Sequence, residues 1–296
     1  MTTRDIQTKV FGNRKMASPL SMLIKLPLIP MTVIAAFLIV ALLADFITPH
    51  SPYEVSLLNR LAPPFWLEGG SLAYPLGTDN VGRDLFTRLI YGTQVSLFIG
   101  SVAVLAGGII GTFIGLIAGY FGGWIDSVLM RVTDSALALP IILFALLLAI
   151  ILGPSLSNVV IAITLVLWSR FARMIRGEVL SLKESDFVAQ ARIMGCSHAR
   201  IIVRHLLPNV LNTVIVLLTL QVGWVILMEA SLSYLGAGVP APWPAWGSMV
   251  AEGQQDIIGA WWLSIFPGLA ILLLVLSFNL LGDWLRDALD PKLRQV

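Results

Sequence analysis

The sequence predicts an all-α integral membrane protein with about six transmembrane helices, and three observations carry that prediction. The 296 residues are 57% hydrophobic and only 12% charged, with a mean hydropathy of +0.87. Globular proteins average about 25% charged residues, and a soluble fold of this length has too little interior to hide so much apolar surface. Apolar stretches recur along the chain at close to the ~20 residues that an α-helix needs to cross a hydrocarbon core. Alternating strands of the barrel type are missing, so helices must satisfy the backbone in lipid.

The stretches fall at 28–48, 95–119, 127–152, 158–176, 210–235 and 264–282. The first follows a basic lead, Arg14, Lys15 and Lys25. It is longer than the ~7–15-residue core of a signal peptide, and is read as a retained helix. Asp134 and Pro140 interrupt the third stretch, and Arg170 and Arg173 enter the fourth. Cationic residues orient the spans. They gather in the N-terminal segment (Arg4, Lys9, Arg14, Lys15, Lys25), over residues 170–204, and after the last span (Arg286, Lys292, Arg294). Residues 236–263 carry only Glu252 and Asp256. Both termini are therefore expected in the cytoplasm. The expected plan is a cytoplasmic segment 1–27, a first helix 28–48, an external loop 49–92, a five-helix core 93–284 and a cytoplasmic tail 285–296. Trp224, Trp243, Trp246, Trp261 and Trp262 read as an aromatic belt at the outer boundary.

The external loop is rich in proline and then runs Leu76-Gly77-Thr78-Asp79-Asn80-Val81-Gly82-Arg83-Asp84. Thr78 or Asp79 is expected to cap a following amphipathic helix, with Val81, Leu85 and Leu89 on one face. Asp84 and Arg88 stand at i, i+4 on another face, as a pair. Such a helix either rests on the outer membrane surface or acts as a docking or gating element.

The 177–209 connection is too polar to span. Phe187, Val188, Ala191 and Met194 recur on about one helical face, Gly195 can end that helix in a left-handed conformation, Ser197 can cap a second helix, and Pro208 is expected to break it. Two short basic helices here form either a membrane-surface platform or a docking surface for a soluble partner. Ionisable residues inside spans are functional candidates. Asp134, one turn from Arg131, is read as a structural pair or a cavity residue, and Glu229 as buried structure or as a cavity group facing a substrate ammonium.

Composition also excludes several chemistries. One cysteine, Cys196, precludes an internal disulfide and a Cys-cluster metal site. The three histidines form no HExxH pair, and no Lys follows a Gly, so the chain has no P-loop. No metal site and no nucleic-acid partner are expected. A secondary transporter or channel would call for internal repeats or a chain of intramembrane acids, and neither is present.

The 186–209 segment carries a pattern that resembles the cytoplasmic loop of ABC-importer permeases, E-A-A-x3-G-x9-I-x-L-P. Ala191, Gly195 and Leu207-Pro208 match it, while Ala189, Gln190 and His205 depart from it. Asp186-Phe187-Val188-Ala189-Gln190-Ala191-Arg192 and His205-Leu206-Leu207-Pro208-Asn209 are similar to the peptide branch. Leu76–Gly92 resembles the L-G-T-D-x-x-G-R-D signature of C-type permeases of dipeptide and oligopeptide importers, through Gly77, Thr78, Asp79, Gly82, Arg83, Asp84 and Arg88. Glu229–Gly238 with Trp246-Gly247, and Asn279–Asp283 with Asp290-Pro291, fit as well.

The resemblance implies the type I ABC importer transmembrane fold in a bacterial inner membrane. It implies that Asp186, Phe187, Ala191, Arg192, Gly195, His205 and Pro208 lie on the loop that couples to an ATPase. It further implies a B-type permease partner, two ATP-binding subunits that hold ATP and Mg, a periplasmic substrate-binding protein, and no catalytic residue or cofactor in this chain. Substrate is expected to cross by alternating access. Di- or oligopeptides are the expected cargo, with nickel, glutathione or another small solute as alternatives.

Overall fold

The computed structural model describes residues 27–289. The N-terminal cations Arg4, Lys9, Arg14, Lys15 and Lys25, and Asp290, Pro291, Lys292 and Arg294 at the other end, lie outside the described residues. Each predicted apolar stretch contains helix. The first forms α1 (Leu28–Leu42) and, after a break at Leu43, a single turn α2 (Ala44–Ile47). The external loop contains one 3-10 turn, Leu57–Asn59. It leads into α3 (Leu85–Phe121), a single helix of 37 residues.

That continuity corrects the sequence reading in three ways. No separate amphipathic helix precedes the second span, because the segment rich in Val81, Leu85 and Leu89 is partly loop and partly the first turns of α3. The expected boundary at residue 92 falls inside α3. The cap is Asp84, whose carboxylate accepts from the Thr87 backbone N–H at 3.2 Å, while Thr78 and Asp79 lie in the loop before it.

Gly122 and Gly123, with φ of +65° and +57°, turn the chain from α3 into α4 (Gly123–Ala138), which is followed by α5 (Ile141–Leu152). The two are bent by 92°. Pro140 disfavours helical geometry at the residue before it, and Leu139 is extended with ψ of 140°. The third predicted stretch is thus a bent helix pair, either a broken span or a re-entrant loop, and not one straight helix. The fourth is α6 (Leu156–Leu182), which carries the helix past Arg170, Arg173 and Arg176.

Next come α7 (Asp186–Ile193), α8 (His198–Ile201), a π turn (Ile202–Leu206) and α9 (Leu207–Tyr234). Pro208 does not break this run. A proline inside an α-helix removes one backbone bond and crowds the carbonyl four residues back; the wider turn absorbs it, with the Leu207 N–H bonded to the Ile202 carbonyl. Finally α10 (Trp246–Gln254) packs on α11 (Trp262–Leu289). Among the described residues four helical runs, α3, α6, His198–Tyr234 and α11, are long and apolar enough to cross a membrane, or five if the bent α4–α5 pair is one span, against the six expected. The apolar α1 is shorter, at 15 residues.

The tightest packing is between α3 and α6. Gly107, Gly111, Gly115 and Gly119 recur every fourth residue on the face of α3 that meets α6. A Cβ on Gly111 would sit 2.2 Å from the Trp168 carbonyl oxygen, and one on Gly115 would sit 2.7 Å from that of Ala172. Lipid offers no hydrophobic drive between helices, so small residues that let backbones approach supply the attraction through close contact. Ile109, Ile110 and Phe113, on the other side of α3, are exposed, as suits a lipid-facing surface.

Candidate functional site

The connection between α6 and α9 is built from α7 and its ending. Val188 and Ala191 are fully buried against Ile175, Val179, Ile201 and Val210, which seats the helix on the ends of α6 and α9. Phe187 and Met194 do not share that face: they are 37% and 74% exposed, and Ile193 is 86% exposed. An eight-residue helix that buries one apolar pair and displays three large apolar side chains has a second surface to cover. Gly195, at φ +74°, stops it as the sequence predicts. The Cys196 N–H bonds the Ala191 carbonyl at 3.1 Å and the Gly195 N–H bonds that of Arg192 at 3.0 Å, the paired pattern of a Schellman ending.

Ser197 then accepts from the Arg200 N–H at 3.4 Å. Arg192 lies over the Tyr120 ring, 5.6 Å from its centroid, and the Tyr120 hydroxyl meets His198 Nδ1 at 2.8 Å, so the loop is tied to the end of α3. His205 lies in the π turn, where its carbonyl accepts from the Asn209 amide at 2.6 Å. Arg176 holds Asp126 of α4 in a two-bond pair at 3.0 and 2.5 Å, which braces the same end of the bundle.

The external motif is a buried charge network. Asp79 accepts from the Val81 and Arg83 backbone N–H groups at 3.0 and 2.9 Å and from Arg83 Nε at 2.6 Å. It also pairs with Arg88. Arg88 and Arg83 both donate to Glu252 of α10, at 2.9 and 3.1 Å. The expected Asp84–Arg88 pair does not form, because Asp84 is turned to cap α3 while Arg88 reaches back to Asp79 and across to Glu252. Burial raises the Asp79 pKa, but the Arg88 guanidinium and the two backbone N–H groups outweigh it and hold the carboxyl below its usual value.

Thr78 bonds the backbone of Asn59 and Ala62. Gly77 and Gly82, with φ of +83° and +81°, leave no room for side chains: a Cβ on Gly82 would sit 1.8 Å from the Ser56 carbonyl oxygen. The seven motif residues therefore latch the external loop onto α3 and α10. Glu252 was not singled out from the sequence. Its signal was its position, an acid in a connection without Lys or Arg.

The two intramembrane acids divide. Asp134 pairs with Arg173 of α6 and not with Arg131, because α4 packs against α6. Glu229 is fully buried and lines neither cavity described below. Its Oε1 accepts from the Ser233 hydroxyl at 2.6 Å, the Ser233 oxygen accepts from the Val239 N–H at 3.1 Å, and Glu229 Oε2 is buried without a partner. A Cβ on Gly238 would sit 2.0 Å from that hydroxyl oxygen, and one on Gly247 would sit 2.0 Å from the Ala230 carbonyl oxygen. The Glu229–Gly247 motif thus ties the turn after α9 to the helix end.

Glu229→Ala is expected to lower the thermal stability of the purified protein by about 1–3 kcal/mol, the usual cost of orphaning a buried hydrogen-bonding group. A cavity-facing residue would change it by less than about 0.5 kcal/mol in the same melting measurement.

The aromatic belt also divides. Trp246 is fully buried, with its indole N–H on the Leu89 carbonyl at 3.0 Å, and Trp262 is buried as well. Trp224 lies beneath Arg170, 4.1 Å from ring centroid to guanidinium carbon. Trp243 and Trp261 remain exposed.

Two cavities meet between α6 and α9. One, of about 280 Å³, is bordered by Arg170, Arg173, Leu137 and Gln221. The other, of about 500 Å³, is bordered by Glu178, Asn209, Asn212, Thr213 and Arg286. Met174 and Leu217 border both. Among the described residues no group of three or more His, Cys, Asp or Glu side chains is arranged to hold a metal ion.

Residues 111–295 match the family model described as "Binding-protein-dependent transport system inner membrane component". The chain is 45% identical over 270 residues to the dipeptide transport system permease protein DppC of Alkalihalophilus pseudofirmus, covering 91% of this chain and 87% of that one. It is 43% identical to the glutathione transport system permease protein GsiD of Pectobacterium atrosepticum, over 86% of this chain and 83% of that one. In three dimensions it resembles a chain of the MetNI methionine ABC transporter in inward-facing conformations, with a TM-score of 0.57 at 19% identity, over 69% of this chain and 96% of that one.

Proposed function

The chain belongs to the binding-protein-dependent transport system inner membrane components, the multi-pass inner-membrane permeases of ABC importers, and from that premise we propose that it moves short peptides into the cell by alternating access. An ATPase and a substrate-binding protein are the partners that such a permease works with. In our reading the transmembrane unit pairs this chain with a second, B-type permease. Two ATP-binding subunits hold ATP and Mg on the cytoplasmic side. The chain itself performs no covalent chemistry.

The observation that carries this reading is the surface of α7. Its exposed Phe187, Ile193 and Met194, held on a helix with a fixed ending, form a rigid apolar knob of the kind that fits a groove on another protein. ATP-driven closure of the ATPase pair would move that knob, and its attachment to Tyr120 and Ile175 would pass the movement to α3 and α6. Peptides are the favoured cargo because relatives named for dipeptide transport match nearly the whole chain. Glutathione is the second reading, on the likeness to the protein named for glutathione transport.

Uptake of labelled dialanine and glutathione in a strain lacking this chain, with the chain restored, tests the proposal. ATP-dependent dialanine uptake supports it, and restoration of neither activity refutes the cargo class.

Gly195→Val tests the coupling role. Nothing lies within 4 Å of a Cβ at this position, so the change acts only through the backbone, where a side chain at positive φ costs about 1–2 kcal/mol. Uptake is expected to fall at least several-fold while membrane insertion and yield stay unchanged. Undiminished uptake would remove the loop ending from the mechanism.

A further inference from the structure

The cavities between α6 and α9 are bordered by a polar ladder that no structural task in the fold absorbs. Arg170, Met174 and Glu178 follow one another at i, i+4, i+8 on α6, and Gln221, Leu217 and Thr213 oppose them on α9. Residues at this spacing share one helix face. On α6 the ladder has a cation at one end and an acid at the other, separated by about 12 Å at 1.5 Å per residue, with Arg286 of α11 also bordering the end that holds the acid.

Neither charge is neutralised. Among the described residues, no carboxylate pairs with Arg170: it rests on the Trp224 face and touches only Gln221 Oε1, at 3.5 Å. Arg173, one turn away, does have an acid, Asp134. Glu178 Oε2 is buried without a partner, and Thr213 borders the same cavity from α9. An unpartnered carboxylate oxygen and a guanidinium without an acid are expensive within spans, and both residues are among those that border the cavities.

We propose that this furrow is a substrate-binding site for a short zwitterionic peptide, with Arg170 taking the terminal carboxylate and Glu178 the terminal ammonium. This rests on the peptide-importer reading above. The geometry sets the size. An extended peptide spans about 3.3–3.6 Å per residue, so two to four residues bridge the two charges once side-chain reach is included. The combined space, about 280 and 500 Å³, is ample for such a chain. Between the charges, Met174 and Leu217 give an unselective apolar waist, which tolerates varied side chains, and Asn209, Asn212 and Gln221 offer amide partners for peptide bonds. Arg is suited to the carboxylate end because its planar fork binds both oxygens.

The test uses the complete transporter in lipid nanodiscs without the binding protein, so that only the membrane subunits select the ligand. Equilibrium dialysis measures binding of labelled trialanine, trialanine amide and N-acetyl-trialanine. Wild type is expected to bind trialanine at least about 10-fold more tightly than either blocked form, as loss of a charge-assisted hydrogen bond implies. Arg170→Gln should weaken trialanine about 10-fold and leave the amide unchanged, with Arg170→Lys restoring part of the loss; Glu178→Gln should act likewise on the ammonium side, leaving the N-acetyl form unchanged.

Equal binding of all three peptides to wild type, or no binding, overturns the proposal. So does an Arg170→Gln effect that is uniform across ligands and comes with loss of the second permease on purification, which would mean that the partner chain covers the furrow. Trialanine uptake by wild-type proteoliposomes supplied with the binding protein separates the two levels. Uptake without furrow selectivity sinks only this site, whereas absence of uptake sinks the peptide reading itself.

Discussion

Replacing Arg88 with Leu should destabilise the protein by about 3–5 kcal/mol, the usual result of removing one partner from a buried ion pair. Arg88 is 2% exposed, and it joins Asp79 in the loop to Glu252 on α10. Without it Asp79 keeps Arg83 but loses its most buried partner. Adding Asp79→Asn to Arg88→Leu should recover part of the loss, because the uncompensated charge is then gone.

The same network predicts a pH dependence. The Asp79 pKa is lowered in the folded state, so its contribution is fully present above the unfolded value of about 3.9 and is lost as pH falls through the lower folded value. Melting curves between pH 7 and pH 3 should show Arg88→Leu losing less stability than wild type below about pH 4. Equal slopes for the two proteins would show that Arg88 does not hold that carboxyl down.

Gly111→Leu should have a comparable effect, about 3 kcal/mol, at the upper end of what overpacking costs. The atom that a Cβ would strike, the Trp168 carbonyl oxygen at 2.2 Å, belongs to the backbone and cannot rotate away. The α3–α6 contact would have to open, and with it the arrangement of Arg170 and Glu178 on α6. Ile109→Leu, on the exposed side of the same helix, should change stability by less than about 0.5 kcal/mol. Size-exclusion yield of fluorescently tagged protein distinguishes the two, and a monodisperse Gly111→Leu variant at wild-type yield would refute the close packing.

What could be read ahead of the structure was what depends on nearby residues. Length and hydropathy located all six apolar stretches, and the Phe187–Gly195 spacing located α7 and its left-handed ending, because a helix stop is a local event. The external motif was recognised as a unit, but its chemistry was not. The i, i+4 rule pairs Asp84 with Arg88, whereas the fold gives Asp84 to a helix cap and sends Arg88 to Asp79 and to Glu252, 164 positions away.

Glu229 illustrates the same limit. An acid in an apolar stretch leaves buried structure and a cavity group both open, and only the returning turn at Val239 brings in the Ser233 hydroxyl that Glu229 holds. Pro208 was read as a helix break because the π turn that accommodates it has no sequence signature. The Gly107–Gly119 repeat, by contrast, was a readable signal for close helix packing and went unused.

The measurement that bears most directly on the coupling role of α7 is photo-crosslinking from that helix. With Cys196→Ser removing the native thiol and Ile193→Cys carrying a benzophenone maleimide, illumination of the assembled transporter should join this chain to the ATPase subunit. ATP with Mg should change the yield. A cysteine at position 193 that reacts with a membrane-impermeant reagent from outside intact cells, and gives no ATPase crosslink, would contradict it.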